Sequence, residues 1–182
     1  MITSRSFSVL LVSLSLLAVA ACSPTRTQKS AGEQIDDTVV TAKVKAALVD
    51  NPVTKARQID VEVFRGKVQL NGFVATAAEK SQATATTRSV QGVRSVSNNL
   101  LVRSPDATAG QVVDDAVLTG KVKTALVGSP ITKAHQINVE TRGGVVQLSG
   151  FVDSAAAKAE AGRLAREVTG VRSVRNEIDV KT

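Results

Sequence analysis

The chain has 182 residues, with 23 Lys/Arg against 16 Asp/Glu, four Phe and no Trp or Tyr. That length allows one or two domains, whose cores must be built from Val, Leu, Ile and Ala. A formal charge of +7 points to anionic partners such as lipid headgroups, nucleic acid or an acidic protein face, and the single cysteine, Cys22, excludes an internal disulfide.

The chain opens on Arg5 and an apolar run from Phe7 to Ala21. The run has signal-peptide length and is too short for a comfortable membrane span. It ends Val19-Ala20-Ala21-Cys22. Small residues before a cysteine resemble a bacterial lipobox, where signal peptidase cuts and the cysteine receives acyl chains. Residues 1–21 therefore read as a signal peptide and Cys22 as the lipid-attachment site. Acylation also removes a thiol that would be a liability in an oxidising envelope. Two or more acyl chains anchor stably, because each buried CH₂ contributes about 0.8 kcal/mol. Ser23 stands where, in the sorting rule known for enteric-type bacteria, an Asp would hold a lipoprotein in the inner membrane. Its identity implies the periplasmic side of the outer membrane. Residues 22–34 read as the lipidated N-terminus and a flexible polar tether.

From residue 35 the sequence occurs twice. The offset is 114 − 36 = 78, and it holds without a gap from Asp36/Asp114 to Arg103/Lys181. A repeat this long is a duplicated domain and not a solenoid unit. The expected division is domain 1 over 35–103, a linker over 104–112 and domain 2 over 113–182.

In each copy an aspartate, Asp36 or Asp114, is placed to open a helix, with Ile35 and Val113 positioned to staple its start. Val40, Val44, Ala47 and Leu48 mark its buried face, matched by Leu118, Val122, Ala125 and Leu126. Asn51-Pro52 and Ser129-Pro130 end these helices. Ile59, Val61 and Val63 then alternate with Asp60 and Glu62 as a half-buried strand. Arg65-Gly66 and Gly143-Gly144 are two-residue hairpin turns. The return strand puts Val68, Leu70, Gly72 and Val74 on one face, where Gly72 and Gly150 are expected to let a helix approach closely. Lys67, Gln69, Asn71 and Phe73 form a polar second face, expected to be solvated or lightly covered. A second helix starts at the capping box Thr76 to Glu79, with Ser154 as the cap in the copy. Its stripe is Ala161, Leu164, Ala165 and Val168 in domain 2, and the poorer Ala83, Thr86, Thr87 and Val90 in domain 1. Gly92 and Gly170 stop these helices, and one last strand closes each unit by a right-handed crossover. The fold class is α+β: two tandem αββαβ domains, each a three-stranded mixed sheet with two helices on one face.

Each unit carries D-x-x-V/L-x-x-x-V-x-x-x-L, then I-x-V, G-x-V-Q-L-x-G-F-V and G-V-R-S-V-x-N. This ordered set resembles the BON domain, and the whole chain is similar to dual-BON envelope lipoproteins of proteobacterial type. The resemblance implies the fold just derived. It also implies a role in envelope integrity, osmotic stress and attachment to phospholipid membranes, with no catalysis.

The residues themselves offer no catalytic constellation. His135 is the one histidine, and its repeat partner is Arg57. The glycines Gly143, Gly144 and Gly150 lack phosphate-loop spacing. No cofactor, metal or small-molecule substrate is expected, and the scarcity of aromatics to stack bases excludes nucleic acid. Membrane docking makes better use of the charge. Val117 and Lys121 share a helix flank, with Lys123 on the opposite flank. Val117, Leu118, Lys121 and Lys123 are the expected membrane-binding residues for an anionic phospholipid surface. The alternative is an adaptor that binds envelope proteins, or the sister domain, through open sheet faces around Phe73 and Phe151.

Overall fold

The computed structural model describes residues 31–54, 58–103 and 109–182. The expected signal peptide, Cys22, Arg57 and most of the tether lie outside them, as do the side chains of Ile35 and Val113. Domain 1 contains α1 (Ala31–Asp50), β1 (Ile59–Phe64), β2 (Lys67–Val74), α2 (Ala77–Arg88), β3 (Ser95–Asn98) and β4 (Leu101–Val102). Domain 2 repeats it as α3 (Ala109–Val127), β5 (Ile137–Arg142), β6 (Val145–Val152), α4 (Ala155–Glu167), β7 (Ser173–Asn176) and β8 (Asp179–Val180). A 3₁₀ turn over Ala134–Gln136 precedes β5.

Both units are α+β in the expected order, with one refinement of the sheet. In each, the hairpin is antiparallel and the closing segment runs parallel to its second strand. That closing segment is broken in two. Lys67 pairs with Ser95 and Phe73 with Leu101, so the offset is 28 on both sides of the break (95 − 67 and 101 − 73). The interruption at Asn99-Leu100 lies opposite Asn71-Gly72, where Gly72 has φ +111°. A strand cannot stay pleated against that kink, so Leu100 turns fully into the core.

The helices start earlier than Asp36 and Asp114, which puts those exposed carboxylates in the second turn and not at the cap. The following aspartates have the structural role. Asp37 is buried and accepts from the backbone N–H of Arg65 at 2.7 Å and Gly66 at 2.9 Å. Asp115 does the same for Gly143 and Gly144, at 2.7 and 2.9 Å. The central residues of both turns have positive φ, from 50° to 76°, the signature of a type I′ hairpin. Each turn therefore presents two adjacent N–H groups to its helix, and one inward carboxylate satisfies both.

Val40, Val44 and Leu48 pack on Val68, Leu70 and Val74, and Val122 and Leu126 pack on Val146, Leu148 and Val152. Burial of each such side chain contributes about 1.5–3 kcal/mol. Thr76 and Glu79 form the capping box of α2, and Ser154 caps α4 through Ala157 N. The α2 stripe reduces to Ala83 and Thr87, and the Thr87 hydroxyl is buried without a partner among the described residues. All members of both cores lie between Val40 and Val180, so residues 31–182 carry both cores whole.

The expectation for Gly72 and Gly150 needs correcting. A Cβ there would strike no helix; it would lie 2.3 Å from the Gln58 carbonyl oxygen, or 2.2 Å from that of Gln136. The glycines serve a backbone kink beside the preceding strand.

The second sheet face is also not solvated. Gln69 is 0% exposed and Gln147 is 1% exposed, and Asn71, Ser149, Phe73 and Phe151 are buried with them. The two sheets lie face to face on this surface. The molecule thus has four layers, with α1 and α2 outermost on one side and α3 and α4 outermost on the other.

Candidate functional site: the inter-domain seam and the outer helix faces

The seam follows the internal repeat. The kink at Gly72 turns its N–H out of the sheet, and it donates to Gln147 Oε1 at 2.6 Å. Gly150 donates to Gln69 Oε1 at 3.0 Å. Since 69 + 78 = 147 and 72 + 78 = 150, each domain gives the other the same glycine and the same glutamine. Gln147 Nε2 donates to the Asn99 carbonyl at 2.7 Å, and Gln69 Nε2 to its counterpart Glu177 at 3.3 Å. Gln69 Nε2 also reaches Asp179 Oδ2 at 2.7 Å, an atom that Lys67 Nζ approaches to 2.7 Å. The duplicate thus supplies partners for both glutamines and both kinked glycines of the polar face, while Asn71 Nδ2 stays buried without one among the described residues.

The two ends of the seam differ. At one, Phe64 stacks on Phe151 with centroids 5.4 Å apart, and Lys181 Nζ lies 5.9 Å from the Phe64 centroid. Beside them is a groove of about 650 Å³, lined by residues including Glu62, Lys133, Gln136 and Asp153. Asp153 pairs with Lys133 and Lys181, both at 2.7 Å, and these hydrogen bonds hold its carboxyl down to about 2. At the other end the counterpart of Phe64 is Arg142. There a smaller cavity of about 280 Å³ contains Phe73, Glu140 and Arg142.

Near the middle, Asn138 Nδ2 donates to Asp60 Oδ2, and the Glu140 carboxyl faces the charge of the same carboxylate. Burial, and then the charge of Asp60, push the Glu140 carboxyl up to about 8 against the weaker pull of Lys123. Folded Glu140 therefore keeps a proton that the unfolded chain loses near its ordinary value of 4.5. Between these values the folded form binds more protons, so this group makes stability fall as pH rises through the window and level off above it. Glu140→Gln is accordingly expected to raise Tm at about pH 9 and to change it little at about pH 4. Equal shifts at both pH values would count against a proton held on buried Glu140.

The expected membrane residues divide. Val117 is 51% exposed, and Lys121 and Lys123 are exposed on either side of it. Leu118 is only 8% exposed and heads the buried stripe of α3. A Cβ on Gly170 would lie 2.8 Å from Leu118 Cδ2, which shows how tightly it is covered. Neighbouring helix residues are about 100° apart, so Val117 and Leu118 cannot share a face. Leu118 leaves the site. Val127, 74% exposed at the end of α3, and Ile131 just beyond it join it instead. Extending the outward positions from Val117 through Gly120 and Thr124 would have reached Val127. His135 is exposed on the 3₁₀ turn. Phe73 and Phe151 are occupied by the seam, which closes the face that an adaptor would need and fills it with the sister domain. No helix among the described residues is long and apolar enough to cross a membrane.

This geometry defines a tandem α+β module, two copies of one domain joined by a reciprocal polar seam. A family model of the BON domain matches residues 36–104 and 114–182, and the chain belongs to the BON-domain family. It is 42% identical over 153 residues to the osmotically-inducible protein Y of Escherichia coli, covering 82% of this chain and 75% of that one. It is 34% identical over 147 residues to the outer membrane lipoprotein DolP of Haemophilus influenzae, covering 80% and 75%. The 21 kDa hemolysin of Actinobacillus pleuropneumoniae is 31% identical over 147 residues, covering 80% and 75%. Among solved structures, CdsD of the Chlamydia trachomatis type III secretion system is 15% identical with a TM-score of 0.30, covering 76% of this chain and 90% of that one.

Proposed function

We propose that this chain is a lipoprotein of the bacterial envelope, acylated at Cys22 and held on the periplasmic side of the outer membrane. Its second domain docks anionic phospholipid, in support of envelope integrity under osmotic stress. It works by binding and not by catalysis. The observation that carries this reading is the outer face of α3, where Val117 and Val127 are exposed between Lys121 and Lys123. An apolar ridge with cations on both flanks suits the headgroup layer, where each lysine contributes about 1 kcal/mol with anionic lipid. The names of the relatives, one osmotically inducible and one an outer membrane lipoprotein, support the same setting.

The test is co-sedimentation with vesicles, with and without phosphatidylglycerol. Binding should require the anionic lipid. Lys121→Glu with Lys123→Glu should weaken it by at least about tenfold, since reversing two charges removes roughly 2 kcal/mol or more. Equal binding of the unaltered chain and the double variant to both vesicle types would sink the electrostatic reading. Incorporation of labelled fatty acid, lost in Cys22→Ser, tests the anchor separately.

A further inference from the structure

The duplication gives α1 the same outer face as α3. Opposite the buried stripe, α1 presents Val39, Ala42, Ala46 and Val49, all exposed, with Lys43 on one flank and Lys45 on the other. Val53, just past the helix, is exposed as its counterpart Ile131 is in domain 2. Single exposed valines are ordinary. Here, however, Val39 and Val49 recur 78 residues later as Val117 and Val127, and the lysine pair recurs with them. Folding does not explain these valines. Neither Val39 nor Val49 belongs to the core cluster of domain 1, Val49 is 69% exposed, and a β-branched residue lowers helix propensity relative to alanine.

The seam fixes where the two ridges point. The sheets pack through their polar faces, so each pair of helices lies on the far side of its own sheet. The α1 and α3 ridges face away from one another across four layers, about 40 Å apart from helix and sheet dimensions. The charges identify the occupant. A second copy of the chain would bring lysine pair against lysine pair, whereas an anionic lipid surface complements both. The α1 face is the weaker one, because Asp50 stands where domain 2 has Gly128.

We propose that α1 is a second lipid-docking face, directed oppositely to α3, so that one chain bridges two anionic membrane surfaces. This rests on the reading of α3 as a lipid-docking helix.

The experiment uses residues 31–182, which hold both cores, and vesicles of phosphatidylglycerol and phosphatidylcholine in equal parts. Co-sedimentation reads binding, and energy transfer between two differently labelled vesicle populations reads bridging. The unaltered chain should do both. Lys43→Glu with Lys45→Glu should leave binding within about threefold, since the stronger α3 face remains, and should abolish bridging. Val39→Asp with Val49→Asp should act alike, and circular dichroism checks that each variant is folded. Binding without bridging by the unaltered chain, or undiminished bridging by both α1 variants, overturns the proposal and leaves the α3 reading standing. A dimer in light scattering without vesicles assigns any bridging to protein contact and also overturns it. Failure of the unaltered chain to sediment with anionic vesicles removes the α3 reading, and the proposal with it.

Discussion

Gly150→Ala should destabilise the chain by about 3–5 kcal/mol, lowering Tm by roughly 6–20 °C for a protein of this size. Three effects act together. The residue sits at φ +114°, where an L side chain is strained. The new Cβ would lie 2.2 Å from the Gln136 carbonyl oxygen, a backbone atom that cannot swing aside. Relief by straightening the kink would withdraw the N–H from Gln69 Oε1 and leave that buried acceptor unmatched. Gly72→Ala should cost a similar amount, because its Cβ would lie 2.3 Å from the Gln58 carbonyl oxygen. Gly120→Ala is the control. Nothing lies within 4 Å of that site on the outer face of α3, so it should be neutral or stabilising by up to about 1 kcal/mol. Thermal unfolding followed by circular dichroism decides; equal Tm values for Gly150→Ala and Gly120→Ala would contradict the account of the kink.

The second large effect concerns the seam itself. Gln147→Ala strands the Gly72 N–H and the Asn99 carbonyl in a dry interface, at about 1–3 kcal/mol for each buried group left unsatisfied. With Gln69→Ala added, both halves of the exchange are gone and the sheets are left facing each other across unpaired backbone. Neither glutamine belongs to a hydrophobic core, so each domain should keep its fold while the pair separates. Small-angle scattering should then show a larger radius of gyration with helix content retained. A compact double variant with unchanged Tm would mean that the stack of Phe64 on Phe151 and the Lys67–Asp179 pair hold the domains without the glutamines.

The seam and the two kinked glycines depend on contacts far apart in the sequence. Local features were legible because their physics is local. Gly143-Gly144 announces a type I′ turn, Thr76 and Glu79 are three residues apart as a capping box requires, and Asn51-Pro52 lies just past the end of α1. The seam was not legible. Gln69, Asn71 and Phe73 alternate with core residues and so read as a wet face. Their burial depends on a surface 78 residues away that happens to be their own duplicate. Gly72 read as a packing glycine because φ cannot be inferred from identity alone. Asp36 reads as the cap in place of Asp37 because nothing nearby in sequence shows that a hairpin turn will be brought beneath the helix. Within the candidate site, Val117, Lys121 and Lys123 are exposed while Leu118 is buried, because adjacency in sequence does not make a shared helix face.

One property of the seam reaches beyond the single molecule. Because each half contributes one glycine N–H donor and one glutamine acceptor, the surface is self-complementary, as in an isologous dimer. Recognition alone cannot tell a domain's covalent sister from the same domain of a neighbouring chain. Connectivity makes the choice, since a short linker holds the sister at an effective concentration in the millimolar range. Raising the local concentration of chains erodes that advantage, and the closed pairs can then trade partners into longer assemblies without forming any contact that the monomer lacks.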